Sequence, residues 1–507
     1  MSKLLSMFEN LDRGELTYPG GAEQNMDCDI VVVGGGGAGT TAAVRAAELG
    51  ARVILVEKMS SLGGNSRFAG GLLSTNSEYQ KSRGMRDNTD RYIETAYKHH
   101  KYTLNPAIFR RYISNSGTYY DWLVKHGLDT ENTRWILDDA VCLIKKRTHP
   151  GYLGGHPAYG PGLMGSAILD LMKAYIDEKK IPVLLETKVR SLLTENGRVT
   201  GVLADGQNAS YRINAGAVIL SSGGFGGNVE MLRRFLPQYF STDNYVSHYC
   251  LLSTTGDGIE MAEKIGAEVG RNMSVGISAI SHIPGTYTVR SIVRQPLGIL
   301  VNKNGQRFLC EDEADDAEFA MDLQPEGLGY YIYDRTSLLE AFKLAIETSP
   351  YGDEPPTWEN LETDLLREKE EGKLAISDTL EGLCDYIGCS PEALRETVER
   401  CNRHYEQGYD NELFKKKENL RLIKDPPYFA IRILRNFDVT MGGVSINENL
   451  QALRPDGTVI PGLYVTGDCA SNWMGTEYGP LFSSFAWAMN SGYIAAEEAQ
   501  KHVKDNN

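Results

Sequence analysis

The segment that most restricts what this chain can fold into runs from Asp29 to Glu57. Asp29-Ile30-Val31-Val32-Val33 is almost continuously apolar, as a strand buried on both faces must be. Gly34-Gly35-Gly36-Gly37-Ala38-Gly39 follows, and then Ala42, Ala43, Ala46, Ala47 and Leu49 recur at helical spacing until Gly50 ends the helix. A second apolar strand over residues 52–56 ends at Glu57. Strand, glycine turn, helix and strand make the βαβ unit of a dinucleotide-binding fold. Gly34 makes the turn, Gly36 lets backbone approach a pyrophosphate, and Gly39 lets helix and strand pack closely. The amino terminus of the helix, read over residues 40–49, offers N–H groups to phosphates, and Gly37 and Ala38 just before it are expected cofactor contacts. Glu57, 18 residues beyond Gly39, stands where a carboxylate accepts hydrogen bonds from ribose hydroxyls.

The remainder of the chain sets limits. With 507 residues it should form two or three domains. A net charge of −15 repels phosphate backbones and speaks against nucleic acid as a partner. No run of about 18 apolar residues occurs, so no membrane span is expected. Residues 1–10 lack the long apolar core of a secretory signal, and a cytoplasmic location is expected. The eight cysteines are scattered, without a CxxC pair, which disfavours disulfides, iron–sulfur clusters and attached haem. No metal site is expected.

Texture divides the chain. Residues 1–28 read as a polar extension. Helices are expected over 105–127 and 164–178, and strands over 182–220, with Glu195-Asn196-Gly197 as a hairpin turn. From about 281 to 437 charge rises and glycine clusters thin out, with helices over 357–371 and 391–405; this reads as an inserted domain. Strand-and-glycine texture returns at Gly442 and ends in Leu463-Tyr464-Val465-Thr466-Gly467-Asp468. The expected fold is α/β: a Rossmann-like domain of the glutathione-reductase type from residues 1–280 and 438–507, with an α+β capping domain over 281–437.

Lys58-Met59-Ser60-Ser61-Leu62-Gly63-Gly64-Asn65-Ser66 continues directly from the acid, followed by Ala69-Gly70-Gly71. Here the chain resembles the flavoproteins of fumarate reductases, succinate dehydrogenases and 3-oxosteroid dehydrogenases. The resemblance continues through residues 218–228, Thr255-Gly256-Asp257-Gly258, residues 298–308, Met441-Gly442-Gly443 and residues 460–468. It implies FAD as cofactor, with Gly63, Gly64, Asn65, Ser66, Gly70 and Gly71 beside the pyrophosphate and ring. Lys58, Val189, Ser222, Gly223, Asp257 and Gly467 become further cofactor contacts, and Asp468 the ribitol ligand. Ser483 and Ser484 would open a helix whose positive end faces the flavin, stabilising the anionic reduced ring. Non-covalent attachment is expected, because no histidine lies between Glu57 and Lys98.

The chain departs from fumarate reductases where their substrate cations stand. After the pair Arg307-Phe308, Asp315 occupies the place of the proton-donating arginine, and Trp473 that of a second arginine. The histidine before the glycine pair is missing from Phe437-Asp438-Val439-Thr440-Met441. An aspartate would repel a dicarboxylate. Trp473, Met474, Tyr478, Leu481 and Phe482 instead form an apolar segment, with Phe485 and Trp487 expected to pack. Tyr478-Gly479-Pro480 resembles the 3-oxosteroid dehydrogenase segment whose tyrosine polarises the ketone, although Leu481 and Phe482 replace the glycines that follow it there. A neutral donor suits a neutral carbonyl. Tyr159 is a candidate proton donor, with Tyr119, Tyr120, Tyr330 and Tyr331 as alternatives; His282 is a candidate for substrate contact.

The expected activity is reduction, or the reverse dehydrogenation, of a carbon–carbon double bond conjugated to a ketone, in a 3-oxosteroid or similar apolar enone. A reductase of small unsaturated acids, of enoate or urocanate type, is the alternative, with Arg290, Arg294 or His282 holding the carboxylate. A flavin electron-transfer subunit without a small-molecule site is a third reading, disfavoured by the cap. No second dinucleotide motif, haem or cluster motif is visible, so a separate protein or diffusible carrier should exchange electrons.

Overall fold

The computed structural model describes residues 16–506 except 132, 137–140, 145–163, 241–244, 248–252, 279–285, 314–319, 349–356 and 476–482. Strand β1 (Ala22–Val33), helix α1 (Gly37–Glu48) and strand β2 (Val53–Val56) form the βαβ unit, with β1 and β2 parallel and paired Ile30 to Val53 through Val33 to Val56. β1 starts at Ala22, earlier than the apolar pattern announces. Its first residues are polar and mostly exposed, and they are held only by pairing with a later strand, Ala22 opposite Ala209 to Cys28 opposite Ala215. Hydrogen bonding, which leaves no hydrophobic signature, extends the strand.

Helix α2 (Pro106–Lys125) is capped by Asn105, whose side chain accepts from the N–H groups of Ala107 and Ile108. Strand β3 (Val183–Leu184) continues the sheet beside β2. Strands β4 (Lys188–Glu195) and β5 (Arg198–Asp205) form the expected hairpin; Asn196 (φ 50°) and Gly197 (φ 77°) both lie in the left-handed region, as a type I′ turn requires. Strand β6 (Ala209–Leu220) pairs antiparallel with β5 in its first half and parallel with β1 along its length.

Helix α3 (Asp257–Lys264) precedes a second sheet. Strands β7 (Ser274–Ser278), β8 (Ile299–Asn302) and β9 (Leu328–Tyr333), helix α4 (Pro391–Gln407) and the long strand β10 (Tyr428–Met441) belong to this part of the chain. β10 pairs with β7, β9 and the short strands Tyr245–Ser247 and Leu374–Ser377, so this sheet takes in strands from before residue 281. All six residues of β9 are buried, and its side chains alternate between two cores. Tyr331 and Tyr333 pack with Phe342, Leu361 and Leu365 on one face; Tyr330 and Ile332 pack with Leu383, Leu394 and Val398 on the other. A sheet covered by helices on both sides explains the continuously apolar strand.

Strands β11 (Gln451–Leu453) and β12 (Val459–Val465) return to the first sheet, whose order is β11-β12-β6-β1-β2-β3. Helix α5 (Ser483–Asn506) closes the chain against α1. A Cβ on Gly492 would meet the carbonyl oxygen of Ala38 at 2.2 Å, so α5 crosses the glycine-rich start of α1 at backbone contact.

Candidate active site and cofactor cradle

The glycine turn separates structural glycines from a ligand-facing one. Gly34 has φ 103°, and a Cβ there would meet Ser221 O at 2.4 Å; one on Gly39 would meet Gly34 O at 1.8 Å. Both are held by packing. A Cβ on Gly36 would meet nothing nearer than Gly63 O at 4.0 Å. The second glycine therefore faces an open cradle that a side chain would fill. Opposite it, Gly63 pairs with Gly36 as a parallel bridge and donates its N–H to Gly35 O at 2.8 Å. Gly64, Asn65 and Ser66 lie in the 3-10 turn Gly64–Phe68, where the Ser66 hydroxyl accepts the Gly37 N–H at 3.1 Å. Gly70 leads into the short strand Gly71–Leu73.

Glu57 is buried at the end of β2. Its carboxylate accepts the N–H groups of Gly35 at 2.6 Å and Met59 at 2.7 Å. Burial pushes this acid up, and the two backbone donors work against that. Lys58 Nζ reaches Asp257 Oδ2 at 2.6 Å and Thr255 Oγ1 at 2.8 Å, and Lys188 Nζ stands 3.3 Å from the other oxygen of Asp257. Burial would raise Asp257, but Lys58 and Lys188 outweigh it and hold the carboxyl below its usual value. Lys58 and Asp257, expected as separate cofactor contacts, are partners of each other. Val189 is buried beside them. Ser222 and Gly223 follow β6; the Ser222 hydroxyl packs toward α3, at 2.2 Å from where a Cβ on Gly258 would stand.

Against the start of α1, where a Cβ on Gly467 would meet that of Ala38 at 3.2 Å, Gly467 (φ 67°) and Asp468 sit in a 3-10 turn after β12. The Gly467 N–H donates to Ser491 Oγ at 3.0 Å, and its carbonyl accepts Trp487 Nε1 at 3.0 Å, so α5 grips this turn twice. Ser491 and Trp487 carry no motif signal and were invisible as supports of the site. Asp468 Oδ1 accepts from Ser484 Oγ at 3.1 Å, and desolvation pushes its carboxyl up to about 7. Ser483 and Ser484 are the first residues of α5, so the positive end of a 24-residue helix does point at this turn.

These residues fit a flavin dinucleotide. The chain offers an open backbone cradle at Gly36, a carboxylate at Glu57 and, at Asp468, a desolvated carboxyl with one hydroxyl partner among the described residues, beside a helix amino terminus.

The expected catalytic residues Tyr478, Tyr159 and His282 lie outside the described residues, as does Asp315. Tyr119, Tyr120, Tyr330 and Tyr331 are core residues, each at most 3% exposed. Trp473 is 1% exposed and stacks on Trp487 with ring centroids 4.5 Å apart and 9° between planes; Tyr112 of α2 meets both rings edge-on. The expectation that Trp473 contributes to an apolar face beside the flavin gives way to packing, while Phe485 and Trp487 pack as expected. Arg307 is equally committed. It donates to both oxygens of Glu311 at 2.9 and 2.7 Å and to Asp410 at 2.7 Å. Lys415 completes the cluster 3.4 Å from Glu311. Arg290 is 1% exposed on the helix Tyr287–Val293.

Fold and cradle together define a flavoprotein oxidoreductase that binds FAD and acts on CH–CH groups. The profile of the FAD binding domain family matches residues 29–480, and the chain belongs to that family. It is 30% identical over 472 residues to urocanate reductase of Eggerthella lenta, covering 89% of this chain and 71% of that protein. Among solved structures it is similar to the open conformation of a flavocytochrome c3 fumarate reductase, with 26% identity, TM-score 0.73, and 94% and 79% of the two chains covered. The 3-ketosteroid delta1-dehydrogenase from Sterolibacterium denitrificans, in complex with 1,4-androstadiene-3,17-dione, shares the fold at 22% identity, TM-score 0.74, with 94% and 99% covered. Among the described residues no helix is long and apolar enough to cross a membrane, and no cluster could hold a metal ion.

Proposed function

We propose that this enzyme reduces a carbon–carbon double bond conjugated to a neutral carbonyl, with a flat apolar enone of the 3-oxosteroid type as substrate. One observation carries the reading: Trp473, at the position of a substrate-binding arginine, is stacked into the core against Trp487, which leaves there neither a cation nor room for one. Arg307 adds to it, because its guanidinium is already paired with Glu311 and Asp410. A dicarboxylate would then lack its counter-charges, whereas a ketone needs only hydrogen-bond donors.

A flavin held here would supply the hydride. Asp468 would hold its ribitol, and the amino terminus of α5 would favour negative charge on the reduced ring. Tyr478, five residues before Ser483, is proposed as the donor that polarises the ketone as charge develops on its oxygen. Tyr159, five residues before Met164, is proposed to protonate the carbon next to the carbonyl. The helix Met164–Glu178 is pinned to the flavin-side loop, because Gly165 N–H donates to Ala69 O at 2.9 Å and Ser166 Oγ to Arg67 O at 2.7 Å.

A reductase of a small unsaturated acid is the second reading. The 30% identity to urocanate reductase favours it, and His282, Arg290 or Arg294 would hold the carboxylate. To separate the readings, the enzyme-bound flavin is reduced anaerobically and mixed with a 3-oxo-4-ene steroid, urocanate or fumarate while reoxidation is followed by absorbance. Fast reoxidation by the steroid alone is expected. Reoxidation by urocanate or fumarate alone sinks the neutral-carbonyl site.

A further inference from the structure

A cavity of about 240 Å³ is walled by Thr17, Tyr18, Lys188, Val189, Asp257 and Lys264, and Asp257 ties it to Lys58, the residue after Glu57. The backbone that leads into Lys188 and Val189 is firmly held. Glu57 N–H donates to Leu184 O at 2.8 Å, Thr187 N–H to Glu57 O at 3.0 Å and Glu186 N–H to Met59 O at 3.0 Å, which lays the approach to β4 alongside the end of β2. The cavity wall carries the cations Lys188, Arg190 and Lys264 against the acids Asp205, Asp257 and Glu260; Lys188 pairs with Asp257, and Arg190 with Asp205 at 3.0 Å. A space walled by compensated charges, an aromatic ring and Val189 suits a neutral polar heterocycle rather than an anion.

The outer wall is the segment before β1, and it is tied at both ends. The Tyr18 hydroxyl donates to Lys58 O. Gly20 N–H donates to Gly206 O at 3.0 Å, and Gly21 N–H to Ser210 Oγ at 3.3 Å, so the strap rests on the connection between β5 and β6. Gly20 has φ 68°, and a Cβ there would meet Ser210 Oγ at 2.6 Å; the strap turns only with glycine at that point. Burial and the nearby carboxylates of Glu186 and Glu57 hold the Tyr18 phenol above its ordinary value, which places it close to the acid assigned to the ribose.

We infer that this strap is a clasp on the adenosine end of FAD, with Tyr18 as a cofactor-retaining residue whose ring closes the adenine cavity while its hydroxyl locks the strap to Lys58. Retention of FAD then depends on a residue outside the glycine motif and outside the βαβ unit. The test is the rate of FAD release from the full-length holoenzyme, followed by flavin fluorescence, together with the melting temperature of the flavin-free protein. Tyr18→Ala is expected to speed release about tenfold or more, the scale of one lost base–aromatic contact. Tyr18→Phe keeps the ring and loses only the lock, and should fall between Ala and the unaltered enzyme. Both variants should melt like the unaltered protein without flavin. Unchanged release in Tyr18→Ala overturns the inference. So does release that speeds up only in step with a lowered melting temperature in both variants, since that marks a strap needed for folding alone.

Discussion

Asp410, which follows α4, and Asp468 beside α5 are both acids drawn out of water, yet their surroundings push them in opposite directions. Burial would raise Asp410, but Arg307 at 2.7 Å and the N–H groups of Glu412 and Leu413 overcome it and bring the carboxyl down to about 2. Among the described residues Asp468 has one hydroxyl partner, Ser484, and desolvation lifts it to about 7. The first site is complete within the chain. The second is unfinished without a ligand that donates hydrogen bonds, as a ribitol chain does. A buried charge that is fully partnered is architecture; one left short of partners marks where something else must bind.

The largest effect should come from breaking the complete site. Arg307→Ala leaves Glu311 and Asp410 buried without their cation and is expected to cost about 3–5 kcal/mol, read by urea unfolding. A loss below about 1 kcal/mol would mean that the cluster does not anchor this part of the chain.

Next comes the open cradle. Gly36→Ala should weaken FAD binding by about 1–3 kcal/mol through overpacking against the ligand, with unchanged melting of the flavin-free protein. Gly39→Ala should instead damage the fold, since its Cβ would lie 1.8 Å from Gly34 O. If the two variants behaved alike, the division between ligand-facing and packing glycines would fail.

The smallest and most specific effect is the pH dependence of Asp468. Its folded value lies above the ordinary 3.8, so its contribution to the flavin-free protein is fully present below 3.8 and is lost as pH rises to about 7. Asp410 runs the other way: its contribution is present above 3.8 and lost as pH falls toward about 2. A ligand donating to Asp468 favours the carboxylate, so FAD should bind more tightly as pH rises through about 7, with proton release. Asp468→Asn should flatten that dependence in titration calorimetry. A slope that survives the substitution would assign the proton to another group.

Much of the cofactor half was legible because its requirements are local. A turn that needs φ 103° at Gly34 and a helix that packs at Gly39 leave glycines at fixed spacing, and a twice-buried strand leaves a run such as Ile30-Val31-Val32-Val33. The turn at Asn196-Gly197 was readable for the same reason. The strand residues 22–28 were not, because exposed main-chain pairing needs no apolar pattern. Trp473 shows the limit of position-matching. Its place after Asp468 suggested a surface beside the flavin, and only the stacked Trp487 from α5 and the edge of Tyr112 from α2 reveal a core residue.

By itself the sequence determined the βαβ unit, the glycine turn and the acid at its end, since each depends on residues adjacent in the chain or on motifs of fixed spacing; FAD as the cofactor and the helix opening at Ser483 came from the resemblance of its motifs to a known family. Only the tertiary structure decided which charges are spent on each other. The pairing of Lys58 with Asp257 spans 199 residues, that of Arg307 with Asp410 spans 103, and the lock of Tyr18 on Lys58 spans 40. Whether a charged or polar group serves a ligand or a neighbour depends on what folding brings within about 3 Å of it, and spacing along the chain does not encode that distance.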